Sequence, residues 1–561
     1  MAAEGRLAPR RVGDRVVELL VGGEPEVALE VRGPAPAEER LEDADPTLVL
    51  DHVELTGGRL LARGRWRGEG SVPRAVALRG DRLRREGRVE VEDGAVTVAI
   101  ALRWDEWGLG EAPWPVGRYW FEVVAASGDS AAVLLGDALV DRLLEDRLDE
   151  PFRWRVIRRG RAAGVLLAPP LADDEVGPFA QEQLQRRFAT MRAPVLEDAV
   201  YLQSFVGASA TDSQLAIHAE LRRRHPRLRI HWGVTDRASW VPDGGIPVLL
   251  HSREWHDVLA RAAYLCLNID TDRWFGTRPG QRLLQTFHGY PAKSMGIGMW
   301  EAKGLTPRRI DLELARTRVW DLILTPVPEM DDHYRREYRY EGPIHHAGYP
   351  RDDLLVSEAA GSVREESRRR LGVRPGQRVV LYAPTFRDDV ATGWRSAAQD
   401  PVLDLAAAAA ALGPDYVVLM RGHRFHGRVP DREGSQTRAR LLDVTSYPEI
   451  NHLILAADAV VLDYSSLRFD VALADRPMVF LVPDLARYVG GVRGFLFDFP
   501  TTAPGPLVDS TEAVVGLLRD LPALDREYAA ARAELNRRLN YRQDGHSAER
   551  VVRAFFPRPA P

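Results

Sequence analysis

The sequence predicts an α/β protein: two successive parallel-sheet halves preceded by an all-β, sandwich-like domain. Three observations predict it. From about Leu196 to the end, apolar strand-like runs alternate with helical segments. Residues 1 to about 150 instead hold short, alternating, β-branched-rich runs punctuated by Gly, Pro and Asp. The chain of 561 residues provides material for about three domains at ~100–200 residues each.

The β-rich part contains RVVELLV, EVALEVRG, LVLDHVEL, RLLARGRW, RVEVEDG, AVTVAIAL and RYWFEVV. Gly57-Gly58 between two of these runs is a two-residue hairpin signal. Trp104, Trp107, Trp114 and Trp120 offer a carbohydrate platform, but strand-packing tryptophans are the commoner arrangement and the favoured reading. Residues 151–194 read as one more hairpin and a linking helix. Residues 195–345 and 346–561 each read as a Rossmann-like series of strands and helices. The alanines of 406–411 are helix formers rather than low complexity. Two such halves suggest a cleft between them, lined by strand C-termini.

Composition narrows the function. Hydrophobic residues are 45 % and charged residues 28 %, as in soluble globular proteins. Lys+Arg 76 against Asp+Glu 81 gives a net charge of −5, so no basic field points to nucleic acid. The single Cys266 excludes intramolecular disulfides and cysteine-built zinc sites, and fits a reducing compartment. No apolar run approaches the ~18 residues of a membrane span. The opening MAAEGRLAPRR lacks the apolar core of a signal peptide. A cytoplasmic protein is expected, with attachment to a membrane surface left open.

Five segments stand where predicted strands end. In QTFHGYPAKSMG, an apolar strand runs through Phe287 into His288, Gly289, Tyr290 and Pro291, then Lys293. A histidine exposed there takes a proton near neutral pH; a hydrogen-bonded structural histidine is the plainer reading. In GYPRDDLL, Arg351 follows a proline turn, and its guanidinium suits phosphate or simply solvent. In LYAPTFRDD, Pro384 and Thr385 bring a hydroxyl and free N–H groups to a strand–loop junction. In VVLMRGHRFH, Arg421, Gly422 and His423 resemble an oxyanion-binding arrangement. Without a Glu or Cys partner its two histidines are not read as a metal site. In AVVLDYSSLRFDVALA, Ser465 and Ser466 open a helix, where hydroxyls, unpaired N–H groups and the helix dipole suit a diphosphate. Plain N-capping is the alternative. Asp470, one turn further, is within reach of a ribose or polyol hydroxyl. Asp270-x-Asp272 invites a metal-nucleotide reading, but a second βαβ series follows and a loop is favoured.

Taken in order, HGYPAK, GYPRDD, YAPTFRDD, RGH, SYPEI, DYSS…FD…RP and RGFLFDF resemble the CDP-glycerol glycerophosphotransferase family of teichoic-acid synthesis. The resemblance runs from about Val195 to the end, including DGHSAERVV, and leaves the β-rich first third uncovered. It implies a GT-B fold with an acceptor-side half (195–345) and a CDP-donor half (346–561). It implies attack by a polyol hydroxyl on the β-phosphorus of CDP-glycerol and release of CMP. By the same resemblance His288 matches the family's general base. Arg351, Pro384, Thr385, Arg421, His423, Ser465, Ser466 and Asp470 match nucleotide or diphosphate contacts. With His423 also placed among the catalytic residues, Phe287, Gly289, Tyr290, Pro291 and Gly422 are expected at the donor site. Phe287 stands where tryptophan is usual, and Tyr290 where threonine is usual. No cofactor is expected and a divalent ion is not indicated. The implied acceptor is a lipid-linked polymer, so the protein is expected to sit peripherally on the inner face of the membrane. Arg222, Arg223, Arg224, Arg227 and Arg229, or Arg335, Arg336 and Arg339, offer charges to anionic headgroups, unless they are solvated helix faces. The competing readings are a CDP-ribitol phosphotransferase, a GT-B enzyme using a nucleotide sugar, and a non-catalytic polymer-binding protein.

Overall fold

The structure is a computed structural model; it describes residues 5–12, 15–21, 27–31, 47–67, 73–125, 130–160, 162–191, 196–385, 402–422, 435, 437–491, 495–496 and 498–556. The chain divides into two compact units. One holds Met1–Arg192 with Thr235–Ser239 and Val248–Asp257; the other holds Ala193–Val234, Trp240–Pro247 and Val258–Pro561.

The first unit is built on an 11-stranded sheet, with a separate three-stranded sheet formed by Gly5–Val12, Arg15–Val21 and Val27–Val31. Alternation drives burial in the large sheet: Leu48, Leu50, Val53 and Leu55 of one strand pack with Leu60 and Ala62 of the next. Gly57 and Gly58 take φ of 57° and 75°, the left-handed values a two-residue hairpin turn requires. Trp114 is fully buried and packs on Tyr119 at 5.1 Å, which makes it core rather than platform. The hairpin Phe152–Arg159/Ala162–Ala168 pairs with Gly117–Ala125, so it is built into this sheet instead of standing apart from it. Its buried Trp154, Val156, Val165 and Leu167 join the same core.

Residues 197–346 and 378–508 form two parallel-type sheets. The first runs in the order Gly245–Leu249, Arg229–Val234, Glu197–Gln203, Ala262–Leu267, Arg282–Gln285, Leu322–Thr325, Ile344–His346. In chain order that is 3-2-1-4-5-6-7, the Rossmann arrangement with its switch point beside the first strand. The second runs Arg440–Asp443, Tyr416–Met420, Arg378–Tyr382, Ala459–Leu462, Met478–Leu481, Leu507–Val508, or 3-2-1-4-5-6, with every pair parallel. These strands read as continuous apolar runs because helices cover both faces. Tyr416–Met420 is buried throughout. Helix Leu405–Leu412, the alanine run, is capped by Asp404, whose carboxylate accepts from the Ala406 and Ala407 amides.

The last helix, Ser547–Phe555, returns to the first of these halves although it lies far beyond residue 346. Arg282 Nη1 donates to Phe555 O at 2.9 Å, Arg224 pairs with Glu549, and the Tyr264 ring meets Phe555 and Phe556 at 6.0 and 5.5 Å. Burial of Val551, Val552 and Phe555 accounts for the docking.

Candidate functional site

The first half brings its chemistry to the ends of two adjacent strands, Ala262–Leu267 and Arg282–Gln285. After Gln285 the chain turns sharply, with Phe287 at φ 53° and Gly289 at φ 136°. Phe287 is held in that conformation by Gln285 Oε1, which accepts its amide at 2.9 Å, and by an aromatic pocket. Tyr334, Trp320 and Tyr338 surround its ring at 4.6, 5.6 and 5.6 Å. Anchoring Phe287 inward turns His288 outward. His288 Nδ1 donates to the Asn268 carbonyl at 3.1 Å. A carbonyl only accepts, so the neutral ring keeps its proton on Nδ1 and presents the Nε2 lone pair.

The second half contributes hydroxyls. The Thr385 amide donates to both Asp463 oxygens at 3.0 and 2.9 Å, and its hydroxyl donates to the same carboxylate. That locks the end of strand Arg378–Tyr382 to the end of Ala459–Leu462. Ser465 Oγ accepts from the Leu467 amide at 3.2 Å, and Ser466 is the N-cap of helix Leu467–Leu473. The two halves meet at Gly289: a Cβ there would lie 3.3 Å from Arg351 Nη2 and 3.6 Å from Ser466 Oγ. Side chains from both halves line one pocket of about 360 Å³, with Asp270, His288 and Lys293 on one side and Thr385, Ser465 and Ser466 on the other. Phe287, Tyr290 and Pro291 line it too.

The remaining predicted contacts are placed differently. Arg351 is buried among carboxylates: it pairs with Asp470, with Asp212 at 3.5 Å and with Asp352 at 3.5 Å. Its Nη1 also donates to the His288 carbonyl at 2.8 Å. Burial alone would lower this guanidinium, but Asp470, Asp352 and Asp212 outweigh it and hold it well above its ordinary value. Burial first, then the charge of Asp470, pushes the Asp352 carboxyl far up. Arg351, held by Asp470 of its own half, thus links to Asp212 and the His288 carbonyl of the other half and supports the His288 turn, and neither Arg351 nor Asp470 is a pocket-lining residue. Arg421 Nη1 donates to the carbonyls of Val444 and Thr445 at 2.9 and 3.0 Å and to Tyr447 O, closing a loop. The Gly422 amide donates to Thr445 Oγ1 at 2.8 Å. Pro384 precedes Thr385 without lining the pocket. His423 lies outside the described residues.

Asn268, which the sequence did not single out, and Asp270, read there as part of a loop, also line the pocket. Burial pushes the Asp270 carboxyl up, opposed by Arg316. Asp272 is exposed, so the two aspartates do not converge. Among the described residues no three His, Cys, Asp or Glu side chains are grouped to hold a metal, and no helix is long and apolar enough to cross a membrane. Most of the basic clusters are internally paired. Arg223 and Arg224 meet Glu220, Arg229 meets Glu197, Arg336 meets Glu337, and Arg339 meets Asp311. Arg335 donates to the carbonyls of Tyr340 and Gly342, and Arg222 to that of Pro226.

The sequence model of the CDP-glycerol:poly(glycerophosphate) glycerophosphotransferase family matches residues 186–557. The chain belongs to this family. The teichoic acid poly(glycerol phosphate) polymerase of Bacillus subtilis (strain 168) is 30 % identical over 370 residues, covering 65 % of this chain. The match spans only 49 % of that polymerase's length. The teichoic acid glycerol-phosphate transferase of Staphylococcus aureus (strain NCTC 8325 / PS 47) is 29 % identical over 364 residues, which is 64 % of this chain and 92 % of that one. A solved variant of the wall teichoic acid polymerase TagF, soaked with CDPG, superposes with a TM-score of 0.62 at 25 % identity. That superposition covers 67 % of this chain and 92 % of the TagF chain. The family shares the paired parallel-sheet architecture expected from the sequence. Tyr290 stacks on Phe469 of the opposite half at 4.4 Å and 25°. Of this pair, Tyr290 lines the pocket.

Proposed function

We propose that this protein transfers glycerol phosphate from CDP-glycerol to a hydroxyl of a lipid-linked or polymeric acceptor, releasing CMP. The observation that carries the reading is His288, its Nδ1 proton held by the Asn268 carbonyl and its Nε2 free to accept, in a pocket shared with Thr385, Ser465 and Ser466. His288 Nε2 takes the proton of the acceptor hydroxyl. The acceptor oxygen bonds to the β-phosphorus, and the bond from that phosphorus to the oxygen bridging to the α-phosphate breaks. CMP departs with the bonding pair, and a phosphodiester remains. A base in this position contributes ~10²–10⁴-fold. The Ser465 and Ser466 hydroxyls supply donors to non-bridging oxygens, whose charge grows as the phosphoryl group transfers, while the Thr385 hydroxyl proton stays on Asp463.

Family membership supports the donor class, and the relatives named as glycerol-phosphate enzymes favour glycerol as the polyol. Docking on the inner leaflet follows from a lipid-linked acceptor and draws little on the two arginine clusters, whose charges are mostly met by neighbouring carboxylates. The test is CMP release from CDP-glycerol with a lipid-linked acceptor analogue, beside CDP-ribitol and UDP-sugars. His288→Ala is expected to lower turnover at least ~100-fold while retaining CDP-glycerol affinity. Wild-type turnover in that variant would remove His288 from the mechanism.

A further inference from the structure

A buried amide beside the base has a hydrogen-bond donor left over. Asn268 directly follows strand Ala262–Leu267, lines the pocket and is 1 % exposed. Its backbone carbonyl holds His288 Nδ1 at 3.1 Å, and its side-chain Oδ1 accepts the Phe205 amide at 2.8 Å. A backbone N–H only donates, so this second bond fixes which end of the side-chain amide is oxygen. The other end, Nδ2, is buried and has no hydrogen-bond partner among the described residues. Buried donors are rarely left unmatched, because nothing then compensates for the water they lose. A ligand atom that accepts from Nδ2 would complete the site.

Asp270, two residues further on, lines the same pocket. It makes no hydrogen bond or ion pair among the described residues. Arg316, Glu313 and His288 act on it through their charges alone, and Arg316 is engaged by Glu313 and the Thr271 carbonyl. The strand end therefore offers one unmatched donor and one unmatched acceptor next to the base. A phosphate has no proton to give Asp270 and is repelled by its charge. An apolar group would leave both positions unmatched. A hydroxyl both donates and accepts, and so satisfies the two together.

We infer that Asn268 and Asp270 form a subsite for a vicinal diol at the chain end of the acceptor. One hydroxyl of the diol lies at His288 Nε2 and attacks. Its neighbour accepts from Asn268 Nδ2 and donates to Asp270. The diol is assigned to the acceptor rather than to the glycerol of the donor because Asn268 also sets the base that must touch the attacking hydroxyl. The inference rests on the transfer proposed above. It narrows the acceptor to a chain that ends in two adjacent hydroxyls, as a glycerol phosphate unit does, and makes Asn268 and Asp270 specificity-determining residues.

The test is CMP release from CDP-glycerol with two acceptor analogues. One ends in glycerol phosphate; the other ends in 3-hydroxypropyl phosphate, which keeps the attacking hydroxyl and lacks its neighbour. The wild type should prefer the glycerol end by about 10- to 100-fold in kcat/KM, since the shorter analogue leaves buried polar groups unmatched. Asn268→Asp keeps an oxygen for the Phe205 amide and removes the Nδ2 donor; Asp270→Ala removes the acceptor. Each variant should lower kcat/KM for the glycerol end and shrink the preference toward one. A general loss of fold would lower both analogues together and leave their ratio alone, and Asp270→Ala, which breaks no hydrogen bond among the described residues, decides the matter if Asn268→Asp does not fold. Variants that keep the wild-type preference would overturn the subsite. So would a KM for CDP-glycerol that rises as much as the KM for the acceptor, which would put the diol on the donor. A wild type that releases no CMP with either analogue sinks the transfer reading and the subsite with it, whereas one that uses both analogues equally well removes the subsite alone.

Discussion

The two halves of the larger unit share one strand order and use it differently. At its strand ends the first half exposes ionisable side chains to the pocket: His288, Asp270 and Lys293. The second exposes hydroxyls, Thr385, Ser465 and Ser466, while its charged groups serve the protein itself. Asp463 holds Thr385, Asp470 holds Arg351, and Arg421 closes its own loop. The same scaffold thus separates proton handling from hydrogen-bond donation. Duplicating a nucleotide fold did not duplicate its chemistry.

The largest effect expected is on the first half, where His288→Ala should abolish nearly all turnover without emptying the donor site. The next strikes the seam. Arg351→Met leaves Asp212, Asp352 and Asp470 buried without a countercharge, and should cost about 3–5 kcal/mol in chemical denaturation. A variant as stable as the wild type would mean that the seam is held by packing alone.

Acid should act on both halves alike. His333 in the first and His452 in the second are lowered to about 4, chiefly by burial. The unfolded chain binds these protons at the ordinary value near 6.5, so the folded state loses stability as pH falls from there toward 4. His333→Gln and His452→Gln should each flatten the fall of the melting temperature over that window. An unchanged slope in both would show that other groups govern acid unfolding. A smaller effect is expected from Tyr290→Leu, which removes the stack on Phe469 and with it about 0.5–1.5 kcal/mol beyond lost area. Its readout is the ratio of glycerol to ribitol donor use; a ratio that stays put would separate the aromatic pair from donor choice.

The sequence conveyed the architecture well because apolar runs and turn residues are local signals. Strands ending in His288, Thr385 and Ser465 were legible for that reason: an apolar run that stops at a polar pair shows where a side chain leaves the sheet. The protein partners of Arg351, Asp470 and Arg421 were not legible, because a guanidinium's partner is a tertiary fact. Asp212 lies 139 residues from Arg351, and no spacing announces that they meet. Asp270 was hidden by its neighbour: the pattern drew attention to a pair, whereas only one member faces the pocket. The hairpin at 152–168 looked detachable because pairing with Gly117–Ala125 leaves no mark in its own residues.

One consequence follows from the bond between His288 Nδ1 and the Asn268 carbonyl. With one ring nitrogen occupied on the protein side, the imidazole cannot relay its burden through to the far edge. Whatever Nε2 receives in one cycle must leave again from Nε2, along the route that reactants and products share. Under the proposed reaction, recharging the base is therefore tied to exchange on the pocket side of the ring.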